Sequence, residues 1–200
     1  MPPDAPKDVP PDVPPLDVCL AKTQAFTAAR TKSLACANFW ECYGDAPEAP
    51  SCPCKSHVNG TGVAAQNVYD VESEWKKAGC KAACSTAPCK NLDVTVGVCA
   101  TGQCQTQAKT CKEIENLAFT ALAEGAKCKA DADCTFKVSN AVGCGCATFV
   151  NTNTMGPGKP LFYYMLMLAK VYKNIKCVTD IQCACPNPNS AKCVAGMCKF

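Results

Sequence analysis

Sulfur is the one reactive element this chain carries in quantity, with twenty cysteines against a single histidine, His57. Thiolates at suitable spacing can ligate metals, exchange disulfides or attack electrophiles, and paired thiols can simply cross-link a fold. The spacing here is periodic. Cys19, Cys36, Cys42, Cys52 and Cys54 recur 92 residues on as Cys111, Cys128, Cys134, Cys144 and Cys146. Cys80 recurs as Cys177 at an offset of 97, consistent with a five-residue insertion. Cys99 and Cys104 recur as Cys193 and Cys198 at an offset of 94, with Gly102 and Gly196 at the same place inside each pair. Only Cys84 and Cys89 in the first copy, and Cys183 and Cys185 in the second, drift. Ten cysteines per copy is the arithmetic of a tandem repeat with up to five disulfides in each unit.

The competing uses of sulfur fit less well. Zinc ribbons and thioredoxin-like redox sites both need Cys-x-x-Cys, and the sequence has none. Metallothionein-type clusters use Cys-x-Cys, but such chains lack a core, whereas this one has 14 aromatic residues (2 Trp, 5 Tyr, 7 Phe) and is 48% hydrophobic. Structural disulfides are therefore expected, with no metal and no cofactor. His57 lies in a polar Lys-Ser-His-Val-Asn-Gly stretch and reads as a surface histidine. Its counterpart is Phe149, so catalysis through it would not be duplicated. Asp131 and Asp133 resemble the start of a calcium loop but lack further carboxylates at loop spacing; they read as shaping the turn before Cys134. Gly156-Pro157-Gly158-Lys159-Pro160 lacks phosphate-loop spacing and reads as a turn opening a helix. Asn59-Gly60-Thr61 is a formal glycosylation sequon.

Cysteine at a tenth of the chain places the protein in an oxidising compartment, secreted or at the cell surface. The start, MPPDAPKDVPPDVPPLDV, is no signal peptide, so a signal or lipid anchor removed upstream of Met1 is the expectation. Proline density makes residues 1–18 a disordered or extended spacer. Net charge is +3, with 8 basic and 7 acidic residues in 19–104 and 11 and 6 in 106–200. No dense basic stripe exists, which argues against nucleic acid, and no apolar run is long enough to cross a bilayer.

The expected architecture is α+β: a small disulfide-rich domain duplicated in tandem, each copy with two helices and a small β-hairpin or sheet. The boundaries are a spacer at 1–18, repeat 1 at 19–104, a linker at 105–110 and repeat 2 at 111–200. Helices are expected over 20–36 and 112–128; in the latter Ile114, Leu117, Ala118, Ala121 and Leu122 form an apolar stripe. Extended pieces are expected at 39–43 and 134–138, and Leu92–Val98 reads as a strand entering a glycine turn. A second helix in each copy buries Val68, Val71, Trp75 and Ala78, or Met165, Leu168, Tyr172 and Ile175.

The copies differ most on that second helix. Gln66, Asn67 and Asp70 of the first become Tyr163, Tyr164 and Met167 in the second, inside an apolar run. Such a face either packs on the first copy or meets a partner. Phe162, Tyr163, Tyr164, Met167 and Lys159 are the candidate partner-binding residues.

The Pro-Asp-Val spacer, Cys-x-x-Asp-x-Asp-Cys over 128–134 and the terminal Cys-x-x-Gly-x-Cys resemble cysteine-rich extracytoplasmic lipoproteins of myxobacterial type. That resemblance implies a surface or secreted location and no defined activity. The whey-acidic-protein and Kunitz cysteine patterns do not fit. The sequence thus points to an exported, non-enzymatic binding module. An inhibitor of extracellular hydrolases presenting Lys159 and a metal- or thiol-handling protein are the alternatives.

Overall fold

The computed structural model describes residues 16–82, 84, 87–139, 142, 146–177, 184–185 and 189–199. The first fifteen residues, and with them most of the spacer, lie outside the described residues, as do Cys144 and Cys183. The chain is α+β and disulfide-rich. The described residues form five helices, α1 (Leu16–Leu34), α2 (Ala64–Lys77), α3 (Cys111–Gly125), α4 (Thr152–Met155) and α5 (Pro160–Asn174), and four antiparallel hairpins. These are β1–β2 (Gly44–Pro47, Lys55–Val58), β3–β4 (Thr95–Ala100, Gln103–Ala108), β5–β6 (Phe136–Ser139, Ala147–Val150) and β7–β8 (Lys192–Val194, Met197–Lys199).

Disulfides set this arrangement. Cys19–Cys80 ties α1 to the end of α2, and Cys111–Cys177 ties α3 to the end of α5. Cys36–Cys99 and Cys42–Cys104 fasten the β3–β4 hairpin to the chain on either side of a 3-10 turn at Phe39–Glu41. Cys128–Cys193 and Cys134–Cys198 do the same for β7–β8 around the turn at Asp131–Asp133. Cys52 and Cys54 bond to Cys84 and Cys89 respectively, and Cys146 to Cys185. Every described bridge stays within 19–104 or within 111–198. A bridge closing a loop of about 60 residues removes roughly 4 kcal/mol of chain entropy in the loop-closure treatment, though bridges that share loops do not add.

Local chemistry recurs with the bridges. Asn59 Nδ2 donates to the Ala35 carbonyl (2.7 Å) while its own N–H donates to the Ser33 carbonyl (2.8 Å). Asn151 makes the matching pair to Lys127 (2.9 Å) and Gly125 (2.7 Å). The sequon asparagine is thus a clasp holding a strand end to a helix end. Glu41 accepts from the Ala37 N–H (2.7 Å) and Asp133 from the Lys129 N–H (2.8 Å), so each carboxylate closes its 3-10 turn. Both carboxylates sit below their ordinary pKa; for Glu41 burial pulls the other way and the turn's hydrogen bonds prevail. Thr101–Gly102 and Ala195–Gly196 all have positive φ, the backbone that a two-residue hairpin turn of matching twist requires.

Four expectations shift. The first helix already covers residues 16–18, inside the expected spacer, because no proline follows Pro15 until Pro47. Phe39–Glu41 is a 3-10 turn, not extended, because the Glu41 carboxylate reaches back to the turn's own donors. The third strand starts at Thr95, after an Asn91 turn in which the side chain accepts from Asp93 N–H (2.9 Å). Most of the expected linker at 105–110 is strand: Cys104 and Thr106 face inward and the glutamines outward, a period-two pattern. Only Lys109 and Thr110 connect, and Thr110 caps α3 through a reciprocal capping box with Glu113.

Two apolar clusters result. Phe26, Ala29, Ala46, Val58 and Val68 pack between α1, α2 and the first hairpin. The larger cluster centres on α3 and α5 and includes Val96 of β3, with Phe39, Trp40, Tyr43 and Val98 packed against it. One core therefore runs across both halves. The tightest backbone approach lies beside it: a Cβ on Gly97 would sit 1.8 Å from the Cys42 carbonyl oxygen and 2.8 Å from His57 Cβ. Gly97→Ala should cost at least about 3 kcal/mol, whereas Gly62→Ala, which meets nothing within 4 Å, should cost about 1 kcal/mol for its positive φ. Urea midpoints of the two variants check this, and equal losses would contradict the close approach.

Candidate functional site

His57 is buried, at 4% exposure, correcting its reading as a surface residue. Its polar sequence neighbours misled, because β2 lies flat against β4 and carries the imidazole inward. The His57 N–H donates to Thr106 Oγ1 (2.8 Å), and Nδ1 lies 3.2 Å from the same hydroxyl. Burial drives its pKa down to about 4, with Asp45 opposing. Asp45 stands opposite His57 in the β1–β2 register. Its carboxylate receives Lys55 Nζ (2.9 Å) and the Tyr69 hydroxyl (3.0 Å), while the Lys55 ammonium lies 5.3 Å from the centre of the Tyr69 ring. Burial raises the Asp45 pKa, but the bonds from Lys55 and Tyr69 together outweigh it, and the net value falls below the ordinary carboxylate range.

These residues edge a cleft of about 330 Å³ between the halves, with Tyr43, Asp45 and His57 on one wall and Met167, Lys170 and Val171 on the other. Lys170 Nζ reaches Asp93 (2.7 Å), and Asn174 Nδ2 donates to the Asp93 carbonyl (2.9 Å), which closes the seam electrostatically. No described cysteine is free. Three sulfurs in each half, Cys36, Cys42 and Cys99 or Cys128, Cys134 and Cys198, lie within 4.8 Å of one another, yet all belong to disulfides and offer no thiolate.

Helix α5 distributes the candidate partner-binding residues over three places. Tyr164 is fully buried, edge-on to Phe39 (5.5 Å), and burial pushes its phenol well above the ordinary value. It belongs to the core and presents nothing to a partner. Tyr163 stacks on Tyr43 (5.5 Å, 23°) and Met167 lines the seam cleft. Lys159 is exposed, but its carbonyl accepts from Phe162 N (3.1 Å) and Tyr163 N (3.3 Å), so it forms the helix entry rather than a presented loop. Phe162 is partly buried, edge-on to Phe136 and to Tyr163 (ring centres 5.9 Å in each pair), while Tyr163 keeps an exposed edge.

Phe162 opens a second hollow that the sequence reading missed. An apolar groove of about 300 Å³ runs between β5 and α5, with Phe136 to Ser139 along one side and Phe162, Leu166 and Ala169 along the other. Met155 and Met165 form its floor. Leu166 is half exposed. The signal was present as an i, i+4, i+7 stripe, 162–166–169, lying beside the buried stripe of Leu161, Met165, Leu168 and Tyr172. Runs of apolar residues on both faces hid it.

The same place in the first half is filled. At the helix offset of 97, Leu166 corresponds to Tyr69 and Ala169 to Glu72; at the hairpin offset of 92, Lys137 corresponds to Asp45 and Ala147 to Lys55. There the Asp45–Lys55–Tyr69 set covers the surface, and Glu72 is occupied by the Ser51 N–H (2.9 Å) and Lys76 (2.8 Å).

No family model, curated protein or solved structure matches the chain. Among the described residues, no helix is long and apolar enough to cross a membrane.

The depressed His57 pKa fixes a pH window. The unfolded chain takes up this proton near 6.5, the folded chain only near 4, so stability falls as pH drops from about 6.5 to about 4. The full loss is about 3 kcal/mol. The loss from depressed Asp45 comes later, as pH falls through its folded value below the ordinary carboxylate range. His57→Phe, the residue at the matching position 149, should fold and flatten that window in urea titrations at pH 7 and pH 4.5. An unchanged slope would place the proton uptake elsewhere.

Proposed function

We propose that the chain is an exported, non-enzymatic, disulfide-stabilised binding module built from two tandem copies, and that its contact surface is the groove between β5 and α5. The groove carries the reading. It is an apolar hollow at the lower end of ligand-site volumes, lined by aromatic and thioether side chains that adapt to varied shapes. The oxidised cysteines support an extracytoplasmic setting, because bridges of this density do not persist in a reducing cytosol. The repeat of disulfide partners and asparagine clasps at the same offsets supports the duplication. The thiol-handling alternative has no described thiol to work with, and the inhibitor alternative has Lys159 folded into a helix entry.

Two measurements test the module. Ellman titration of unreduced protein should give less than one thiol per chain. Nile red, a neutral apolar dye, should bind at unit stoichiometry with a fluorescence rise that Ala169→Trp abolishes by filling the groove. Leu166→Asp, at a half-exposed position, should weaken it at least fivefold with an unchanged melting temperature. Dye binding unaffected by both substitutions would overturn the assignment.

A further inference from the structure

Resting on the reading of the groove as a binding surface, we propose that its ligand is a single-chain anionic amphiphile, an acyl chain bearing a carboxylate. Three observations carry this. The walls between Phe136, Val138, Phe162, Leu166 and Ala169 are hydrocarbon and aromatic, and the hollow of about 300 Å³ holds about ten groups of water or methylene size at roughly 30 Å³ each. That suits one chain of medium length and no bulkier body. The charged side chains of the surrounding segment are all of one sign, although Lys170 among them is engaged by Asp93. Residues 135–177, which supply β5, β6, α4 and α5, contain Lys137, Lys159, Lys170, Lys173 and Lys176 and no aspartate or glutamate. Lys137 borders the groove itself, and Lys173 continues the 162–166–169 stripe one turn beyond Ala169.

The third observation is the comparison between halves. Where the first half places Asp45 to close its surface with Lys55 and Tyr69, the second places Lys137, opposite Phe149 in the hairpin register. The replacement of Tyr69 by Leu166 and Lys55 by Ala147 removes the polar cover and leaves an apolar surface. The replacement of acid by lysine reverses the charge beside it. An extended peptide would draw its main-chain pairing from a strand of only four residues, β5. An acyl chain asks only for apolar contact along its length and a cation at its head.

The test uses the full oxidised chain, labelled with ¹⁵N and titrated with laurate below its micellar concentration. Amide shifts should concentrate on 136–139 and 162–169 with a Kd on the order of 10 µM. Methyl laurate and dodecyltrimethylammonium should bind at least tenfold more weakly. Lys137→Glu and Lys173→Glu should each weaken laurate roughly fivefold while leaving Nile red unchanged. Ala169→Trp should abolish both. Laurate shifts elsewhere, equal affinity for the cationic amphiphile, or binding only to phosphatidylglycerol vesicles or to an acidic apolar peptide would overturn the proposal. If Nile red binds and laurate does not, the groove is a binding surface for another ligand; if neither binds, the module reading fails as well.

Discussion

Two neighbouring disulfides on one hairpin hold the first half together, and much else follows from them. Cys99 and Cys104 face each other across β3 and β4, close enough to pair, yet they bond outward to Cys36 and Cys42. The hairpin is thereby fixed to both flanks of the 3-10 turn that follows α1. This closes loops of more than sixty residues and brings β3 under the turn, where Gly97 must let the Cys42 carbonyl through. With Gly102 and its neighbour in left-handed backbone, the hairpin can return within two residues and bring the second sulfur back to the same face. The second half repeats the device with Cys193 and Cys198.

The bridges fix topology, but the seam between the halves depends on ordinary packing. Residues from the first turn, Phe39, Trp40 and Tyr43, meet α5 through an edge contact to Tyr164 and a stacked contact to Tyr163. Aromatic pairs of this geometry contribute about 0.5–1.5 kcal/mol beyond the area they bury. Val96 enters the larger core from β3, and Lys170 and Asn174 reach across to Asp93. The exposed Lys170–Asp93 pair orients more than it stabilises. The hydrophobic contacts set the contact face, and the polar ones set its register.

The sequence disclosed the disulfide framework because cysteine spacing survives as an arithmetic signal whatever surrounds it. Ile114, Ala118, Ala121 and Leu122 disclosed α3 in the same way, since burial on one face imposes a 3.6-residue period. Other features left no period to read. Phe39–Glu41 carries aromatic residues that suit a strand, and only the reach of one carboxylate makes it a turn. Gln103–Ala108 is polar enough to pass for a linker because the face it buries needs only Cys104 and Thr106. His57 looked exposed because its neighbours Lys55 and Asn59 are polar, while its own environment depends on β4, 49 residues away. The α5 residues were legible as an unusual face but not as three separate destinations, for which the partner across the seam had to be known.

The two halves spend similar frameworks on different interiors. The first buries Ser56, His57 and Glu72 and half-buries Arg30; Arg30 reaches Ser33 and Ser56, His57 bonds the Thr106 hydroxyl, and Glu72 accepts from the Ser51 N–H and pairs with Lys76. Burial lowers the Arg30 pKa, with Glu48 opposing, so this guanidinium is retained at an electrostatic cost. The second half has Leu122, Thr148, Phe149 and Ala169 at the matching positions. A polar interior must satisfy each group with a defined partner, which favours one conformation and a closed surface. An apolar interior accepts looser complementarity, and Ala169 in the place of Glu72 takes a bulky side chain away from that surface. A hollow can therefore open in the second half at little cost, while the first half, with its polar set and its tie to the seam, supplies the rigid support beside it.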